Sequence, residues 1–388
     1  MQLYINFIIL WYTTKNKILK IHILSILFAV APMLASAQKL VQGTCKTHDG
    51  GQYKGEMMSG KPYGKGITTF PTGDTYEGEY VKGYRQGYGV YSFTDGEKYE
   101  GQWFQDQQHG KGTYRFSNNN RYVGLWFRDY QQGHGVMYYY NGDKYDGDWE
   151  QDKRQGRGTY TFSNGAYYKG QWSGDMKNGK GFFDWGDGTT YDGMWKDNQR
   201  NGQGIYHYSD GDVYQGGWLD DMQNGKGIYK FQNGDVYEGD YVQGDRTGEG
   251  IFRYANGDKY TGHFTEGYKD GQGTLVWKNG DIYVGQWKND KMNGAGKLTK
   301  KNGDVYDAHF LNDKLDGDVI IHFANGDKFR GNFRRGVRNG KAIEETKDGN
   351  RFEGNYRNDQ RQGPFVEKDR NGKVTAQGTY EDGRRVVQ

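Results

Sequence analysis

Tyr145-Asp146-Gly147-Asp148-Trp149, then Gly156-Arg157-Gly158-Thr159-Tyr160-Thr161-Phe162, then Asn164-Gly165: this stretch decides the fold. Its first five residues alternate large apolar or glycine with acid, so Tyr145, Gly147 and Trp149 share one side and Asp146 and Asp148 the other. The second run alternates in the same way, with Tyr160 and Phe162 on one side. Period-two alternation in aromatic residues predicts half-buried β-strands. Asn164-Gly165 predicts a two-residue type I′ turn back into the next strand, because that turn needs positive φ at both central positions. The other connection, from Trp149 to Gly156, reads as the longer one.

Working outward, the same unit recurs every 23 residues, from Tyr53-x-Gly55 to Phe352-x-Gly354, fourteen times without an insertion. Self-similarity of this kind signals a repeat architecture and leaves no room for a separate globular domain. Mapped onto the first full copies, the two strands are expected at roughly 74–80 and 66–71. Near the middle of the other connection stands one residue per copy that is only ever Gly, Asp or Asn, from Gly60 and Gly83 through Asp152 to Asp359 and Asp382. That restriction predicts a backbone geometry strained for other residues. In one copy Asn119 replaces the turn glycine, as the non-glycine residue that best tolerates positive φ.

The composition fits. Sixty-four glycines and thirty-four tyrosines accompany only four prolines. Leucine and isoleucine are scarce after residue 40, so aromatic rings must supply the buried surface. Disordered chains are poor in aromatics, and this chain is rich in them. Tyr76, Gly78 and Tyr80 fall on one face and Glu77 and Glu79 on the other. The glycine between two aromatics leaves room for a neighbouring ring to lie over the backbone.

Residues 1–37 belong to another class. Lys15, Lys17 and Lys20 precede an apolar stretch from Ile21 to Ala35, and Ala35-Ser36-Ala37 is a small-x-small cleavage signal before Gln38. This is the layout of a secretory signal peptide, with an uncleaved N-terminal anchor as the alternative. Removing its three lysines brings the formal charge of +3 to zero for residues 38–388. A chain built to hold nucleic acid shows a basic excess, so none is expected as partner. The excess is local: from Phe329 onward fourteen Lys/Arg face nine Asp/Glu. Cys45 is the only cysteine, so no intrachain disulfide forms. Its phase makes it an inward, core-lining residue of a strand that opens the array.

The pattern Tyr-x-Gly-x-Trp, a polar turn, Gly-x-Gly with an aromatic, and Asn-Gly-Asp resembles the MORN repeat (membrane occupation and recognition nexus). The resemblance covers about residues 43–382. It implies an elongated, twisted, single-layer antiparallel sheet of consecutive β-hairpins, about fourteen to fifteen repeats, used in scaffolding, membrane-associated complexes and in some members lipid contact. Departures gather from about residue 315. Ala308 replaces a glycine; Val319, Ala342 and Phe365 replace the second glycine of Gly-x-Gly; Thr375 replaces the anchor aromatic.

Candidate chemistry is thin. His207 and His322 share a phase five repeats apart, and His263 and His309 share another two repeats apart. At about 4.8 Å per strand neither pair reaches one metal ion. No HExxH, nucleophile elbow, Walker loop or Cys/His dyad is present, so no catalytic residue, metal or cofactor is expected. Trp103, Trp126, Trp149, Trp172, Trp195, Trp218 and Trp287 repeat in one phase. They form either the core of a thin sheet or a stripe left open to a peptide, partner strand or glycan. Arg330, Arg334, Arg335 and Arg338 form a candidate patch for an anionic partner. The reading is an exported, non-catalytic interaction scaffold of the periplasm, cell surface or secreted space. Its alternative is a membrane-contact module working through the basic C-terminal repeats. Protein partners are expected, with a membrane surface, a glycan or a further copy of the chain as other candidates.

Overall fold

The computed structural model describes residues 39–386. The leader, its cleavage before Gln38 and the alternative anchor lie outside the described residues. Those residues form one antiparallel sheet in which each strand pairs with its neighbours in sequence, from Val41–Lys46 to Arg384–Val386. No helix occurs among them.

One unit suffices to explain the rest. A seven-residue strand, Lys144–Glu150, is followed by a nine-residue strand, Lys153–Thr161, and then by the seven-residue strand of the next unit, Tyr167–Ser173. In the first full copies the strands are Lys61–Thr69 and Thr75–Val81. The second run thus begins several residues before the Gly-x-Gly expected to open it.

The two turn types are the reverse of the sequence expectation. The connection expected to be the longer one is the two-residue turn: Gln151 and Asp152 both take positive φ, 47° and 64°. At the Asn-Gly connection only Gly165 does, at 93°. Gly165 N donates to Phe162 O at 3.0 Å and Phe162 N donates to Ala166 O at 2.8 Å. This is a three-residue loop with a glycine bulge, a geometry in which Asn-Gly is as favourable as in a type I′ turn. The Asn side chain stabilises it locally: Asn164 Oδ1 accepts from Ala166 N at 3.0 Å. Positive φ accounts for the restriction of position 152 and its equivalents to Gly, Asp and Asn, and Asn119 also takes it, at 67°. In the last unit a bulge between Glu367 and Lys368 shifts the register by one. Gly383, not Asp382, then holds that turn position, and Ala376, not Thr375, replaces the anchor aromatic.

A second irregularity sits inside each hairpin from residues 52–69 to residues 328–345. Gly147 faces Gly158 and Trp149 faces Arg154, so Asp148 alone stands opposite Gln155, Gly156 and Arg157. Gly156 takes a φ of 67°, which explains the first glycine of Gly-x-Gly. The bulge frees an amide, and Asp148 Oδ2 accepts it from Arg157 N at 3.0 Å. Glu56 and Gln171 do the same for Lys65 and Lys180.

The core is the aromatic face. Tyr145 is fully buried, and its ring lies over Gly147 of its own strand and Gly158 of the strand paired with it. A Cβ on Gly147 would meet Tyr145 Oη at 2.6 Å, and one on Gly158 would meet it at 2.3 Å. Both glycines therefore accommodate one tyrosine, two residues before Gly147 and across the hairpin from Gly158. Beyond Tyr283 the arrangement changes, with Tyr306 only half-buried. Val319, Ala342 and Phe365 fill the second-glycine site with buried side chains and form a second cluster with Phe329, Phe352 and Tyr380. The C-terminal departures are an alternative packing of the same register. Cys45 is half-buried against the first cluster, as its phase implied.

Candidate functional site

Two faces of one sheet are available, and their chemistry differs. On the aromatic face, Trp149 packs edge-on between Tyr122 and Tyr145, with ring centroids 5.3 and 5.2 Å away at 82° and 87°. The same zigzag runs from Tyr76 to Phe310. Trp149 Nε1 donates to Gly135 O at 3.2 Å.

The seven candidate tryptophans are 4–6% exposed. A lid explains why. The Arg154 guanidinium lies 4.5 Å from the Trp172 ring centroid, with Tyr145 and Tyr160 alongside. It is held by Asp175 Oδ1 at 3.1 Å. Arg85, Lys177, Arg200 and Lys269 take the same place over Trp103, Trp195, Trp218 and Trp287. Of the two readings of the tryptophan row, the core of a thin sheet is the one observed, and the seven tryptophans are not open to a partner. The indole faces are spent on tyrosines and on this lid row, which over Trp126 and Trp149 is the buried Gln108 and Gln131.

Sequence reasoning missed this cation row. Its signal is an acid or amide 21 residues on: Asp106, Asp175, Asn198 and Asp221 each accept the backbone amide of the lid residue at 2.8–2.9 Å and return their own to its carbonyl. Burial pulls Lys177, over Trp195, down to about 8. A parallel ladder joins the opposite turns, where Asp143 Oδ1 accepts from Ser163 N at 2.8 Å and Oδ2 from the Tyr160 hydroxyl at 2.7 Å. Burial opposes ionisation of Asp143, but these bonds hold its carboxyl below the usual range.

The candidate anionic-partner patch is divided. Arg338 is a lid residue, bonded to Asp359 at 3.3 Å and stacked on Tyr356 at 4.4 Å. Arg330, Arg334 and Arg335 are exposed. Among the described residues no group of His, Cys, Asp and Glu is arranged to hold a metal ion. His134 Nε2 sits 3.2 Å from Asp146 Oδ1.

The outer face carries depressions. Four follow one another along it: 490 Å³ beside Tyr88, Val123 and Leu125; 640 Å³ beside Arg157, Lys169 and Lys180; 610 Å³ beside Ile228 and Ile251; and 470 Å³ beside Arg330 and Ile343. The backbone of glycine pairs such as Gly147 and Gly158 lines them. Charged side chains form the walls.

The MORN repeat model matches residues 53–305 in eleven consecutive copies and again at 329–351 and 352–373. The chain belongs to the MORN-repeat family. A MORN array of this kind is a repeat scaffold or interaction protein. Among the curated proteins no sequence match is found. Among solved structures the MORN array is similar to the SAS-4 TCP domain of Drosophila melanogaster, solved with a proline-rich motif. The identity is 15% over 40% of this chain and 85% of that one, with a TM-score of 0.27. It is also similar to the TCP10 domain of Danio rerio CPAP, at 11% identity over 75% and 99% of the two chains with a TM-score of 0.14. A streptogramin B lyase follows at 14% identity over 69% and 90%, with a TM-score of 0.13.

Proposed function

We propose that this MORN array is a non-catalytic interaction scaffold of the extracytoplasmic space, and that partners lie along its outer face. The observation that carries the reading is the division of labour between the faces. The aromatic face is largely consumed by its own packing, with one depression of 420 Å³ beside Tyr229, Phe231, Tyr241 and Arg246, whereas the outer face presents four depressions and exposed apolar residues such as Ile67, Val123 and Val284. The export part of the proposal rests on Lys15, Lys17 and Lys20, the apolar stretch Ile21 to Ala35, and Ala35-Ser36-Ala37.

Removing the repeats 122–144 and 145–167 preserves the register, because each contacts only its neighbours. The shortened chain is expected to fold, and to lose any partner captured by the full chain whose footprint spans the deletion. Capture unaffected by deletion of any repeat pair would overturn the reading. Mass spectrometry of the exported protein tests the leader: a first residue of Gln38 supports export with cleavage, and a retained leader refutes it.

A further inference from the structure

One part of the outer face is rich in exposed aromatic rings. The residues flanking three successive two-residue turns are Val81 and Tyr84, Phe104 and Gln107, and Phe127 and Tyr130. Tyr84, Phe104, Phe127 and Tyr130 are 46–50% exposed. His109 bridges two of them, with ring centroids 5.6 Å from Phe104 and 5.3 Å from Phe127. In the next two units the same positions are Glu150 and Lys153, then Ser173 and Met176. A contiguous exposed apolar patch of this kind marks an interaction site.

The opposite end of the same strands carries a row of cations. Lys98 faces Arg115, and Arg115 faces Arg121, on three neighbouring strands. Like charges directly opposite each other are destabilising. Among the described residues none of the three makes an ion pair, whereas Lys144, Arg253 and Lys328 in the same row meet Asp146, Glu238 and Glu345. The acids near that row are engaged: Glu97 accepts from Ser117 N and Tyr114, Glu100 from the Tyr88 hydroxyl, and Asp95 from Glu97 N. Between the aromatic rim and the cation row lies the 490 Å³ depression lined by Tyr88, Lys111, Val123, Leu125 and His134.

We propose that residues 81–138 form a docking station for an acidic peptide segment of a partner protein. Its bulky apolar side chains pack on Phe104, Phe127 and the depression, and its carboxylates neutralise Lys98, Arg115 and Arg121. The unneutralised cation row supplies the charge complementarity. The depression favours a peptide over a flat bilayer, which has nothing to place in it. The station rests on the outer-face reading above and names one partner class for it.

The probes are a short synthetic peptide of Glu, Phe and Leu, a counterpart with Lys for Glu, a counterpart with Ser for Phe and Leu, and phosphatidylserine vesicles. Fluorescence anisotropy against the full chain is expected to show binding of the first peptide at least about tenfold tighter than of either counterpart. Arg115→Glu places an acid between Lys98 and Arg121. It is expected to leave the melting temperature unchanged or raised and to weaken the peptide about tenfold or more; a merely structural role for Arg115 would move the two together. Phe104→Ser with Phe127→Ser gives a similar loss, and Val242→Ser with Tyr268→Ser, distant on the same face, gives none. Equal binding of all peptides, no binding of any, or binding of vesicles alone overturns the station. Loss with the distant pair but not the local one also overturns it, while leaving the outer-face reading intact.

Discussion

The hydroxyl of Tyr145 donates to the backbone carbonyl of Asp148, 3.0 Å away and three residues along the same strand. Tyr76, Tyr99, Tyr168 and Tyr283 do the same with their own strands. This bond turns each ring flat along the strand, and the two glycine positions exist to let it lie there. The carbonyl it satisfies belongs to the bulge residue, which has lost a ladder partner. One hydroxyl therefore links the ring, the bulge and the glycines.

The two glycines are expected to tolerate alanine unequally. A Cβ on Gly147 would sit 2.4 Å from Gly158 Cα and 2.6 Å from Arg157 O, and backbone cannot yield. Gly147→Ala should cost about 3 kcal/mol or more. A Cβ on Gly158 meets only the Tyr145 side chain at its three nearest approaches, so Gly158→Ala should cost less, about 1–2 kcal/mol. Tyr145→Phe should cost about 1 kcal/mol through the lost bond. Urea unfolding of the three variants gives the order; equal costs at the two glycines would show that the backbone contacts of Gly147 do not set its cost.

The lid pair Arg154 and Asp175 separates backbone from side-chain effects. Glycine stands naturally in this turn position at Gly83, Gly244 and Gly267 with positive φ. Asp175→Gly keeps the turn and removes the bonds to Arg154, an expected loss of about 1–2 kcal/mol. Asp175→Ala loses the same bonds and adds left-handed strain, about 1 kcal/mol more. If alanine is no worse than glycine in thermal denaturation, the strain argument fails.

How much of this could be read from residues alone differs by feature. The period, the hairpin architecture and the buried face follow from alternation, and Tyr76, Tyr122 and Tyr168 are buried as their phase requires. The turn types were inverted because Asn-Gly serves two geometries, and because Gln151, Lys82 and Arg128 at positive φ leave no mark in sequence. The lid row was hidden by its variety: Arg154, Lys177, Gln131, Met292 and Leu315 share one phase. The outer-face station was hidden because Phe104 and Lys98 look like ordinary strand residues until neighbouring copies are aligned.

Acid should weaken the array through its turn carboxylates. Asp74 is held below the usual carboxylate range by the amide of Thr94 and further hydrogen bonds, and Asp281 by Lys300 and the Lys301 amide. A carboxyl depressed in the folded state contributes stability that is present above the unfolded value, about 3.9, and lost as pH falls through the folded one. The melting temperature is therefore expected to hold from neutral pH to about 4 and to fall below it. Asp281→Asn should flatten that fall; an unchanged acid limb would refute the assignment.

Lys177 acts at the other end of the scale. Burial lowers it from 10.5 to about 8, partly offset by Asp221. A cation depressed in the folded state costs stability below the folded value, and that cost is relieved as pH rises from about 8 toward 10. Lys177→Met, which puts there the residue found at Met292, should remove this rise from the pH dependence of unfolding. A rise of the same size in the variant would place its origin elsewhere.

The central claim is that partners meet the outer face and not the aromatic one. Its most direct test is capture from the native extract by the full chain and by one variant, Ile228→Glu with Ile251→Glu, which alters two floor residues of the 610 Å³ depression and leaves the aromatic core alone. The account predicts an unchanged circular dichroism spectrum and melting profile together with loss of whichever captured protein is protected from cross-linking at those repeats. Capture undiminished by outer-face charges, with cross-links mapping instead to lid residues such as Arg154 and Arg200, would contradict it.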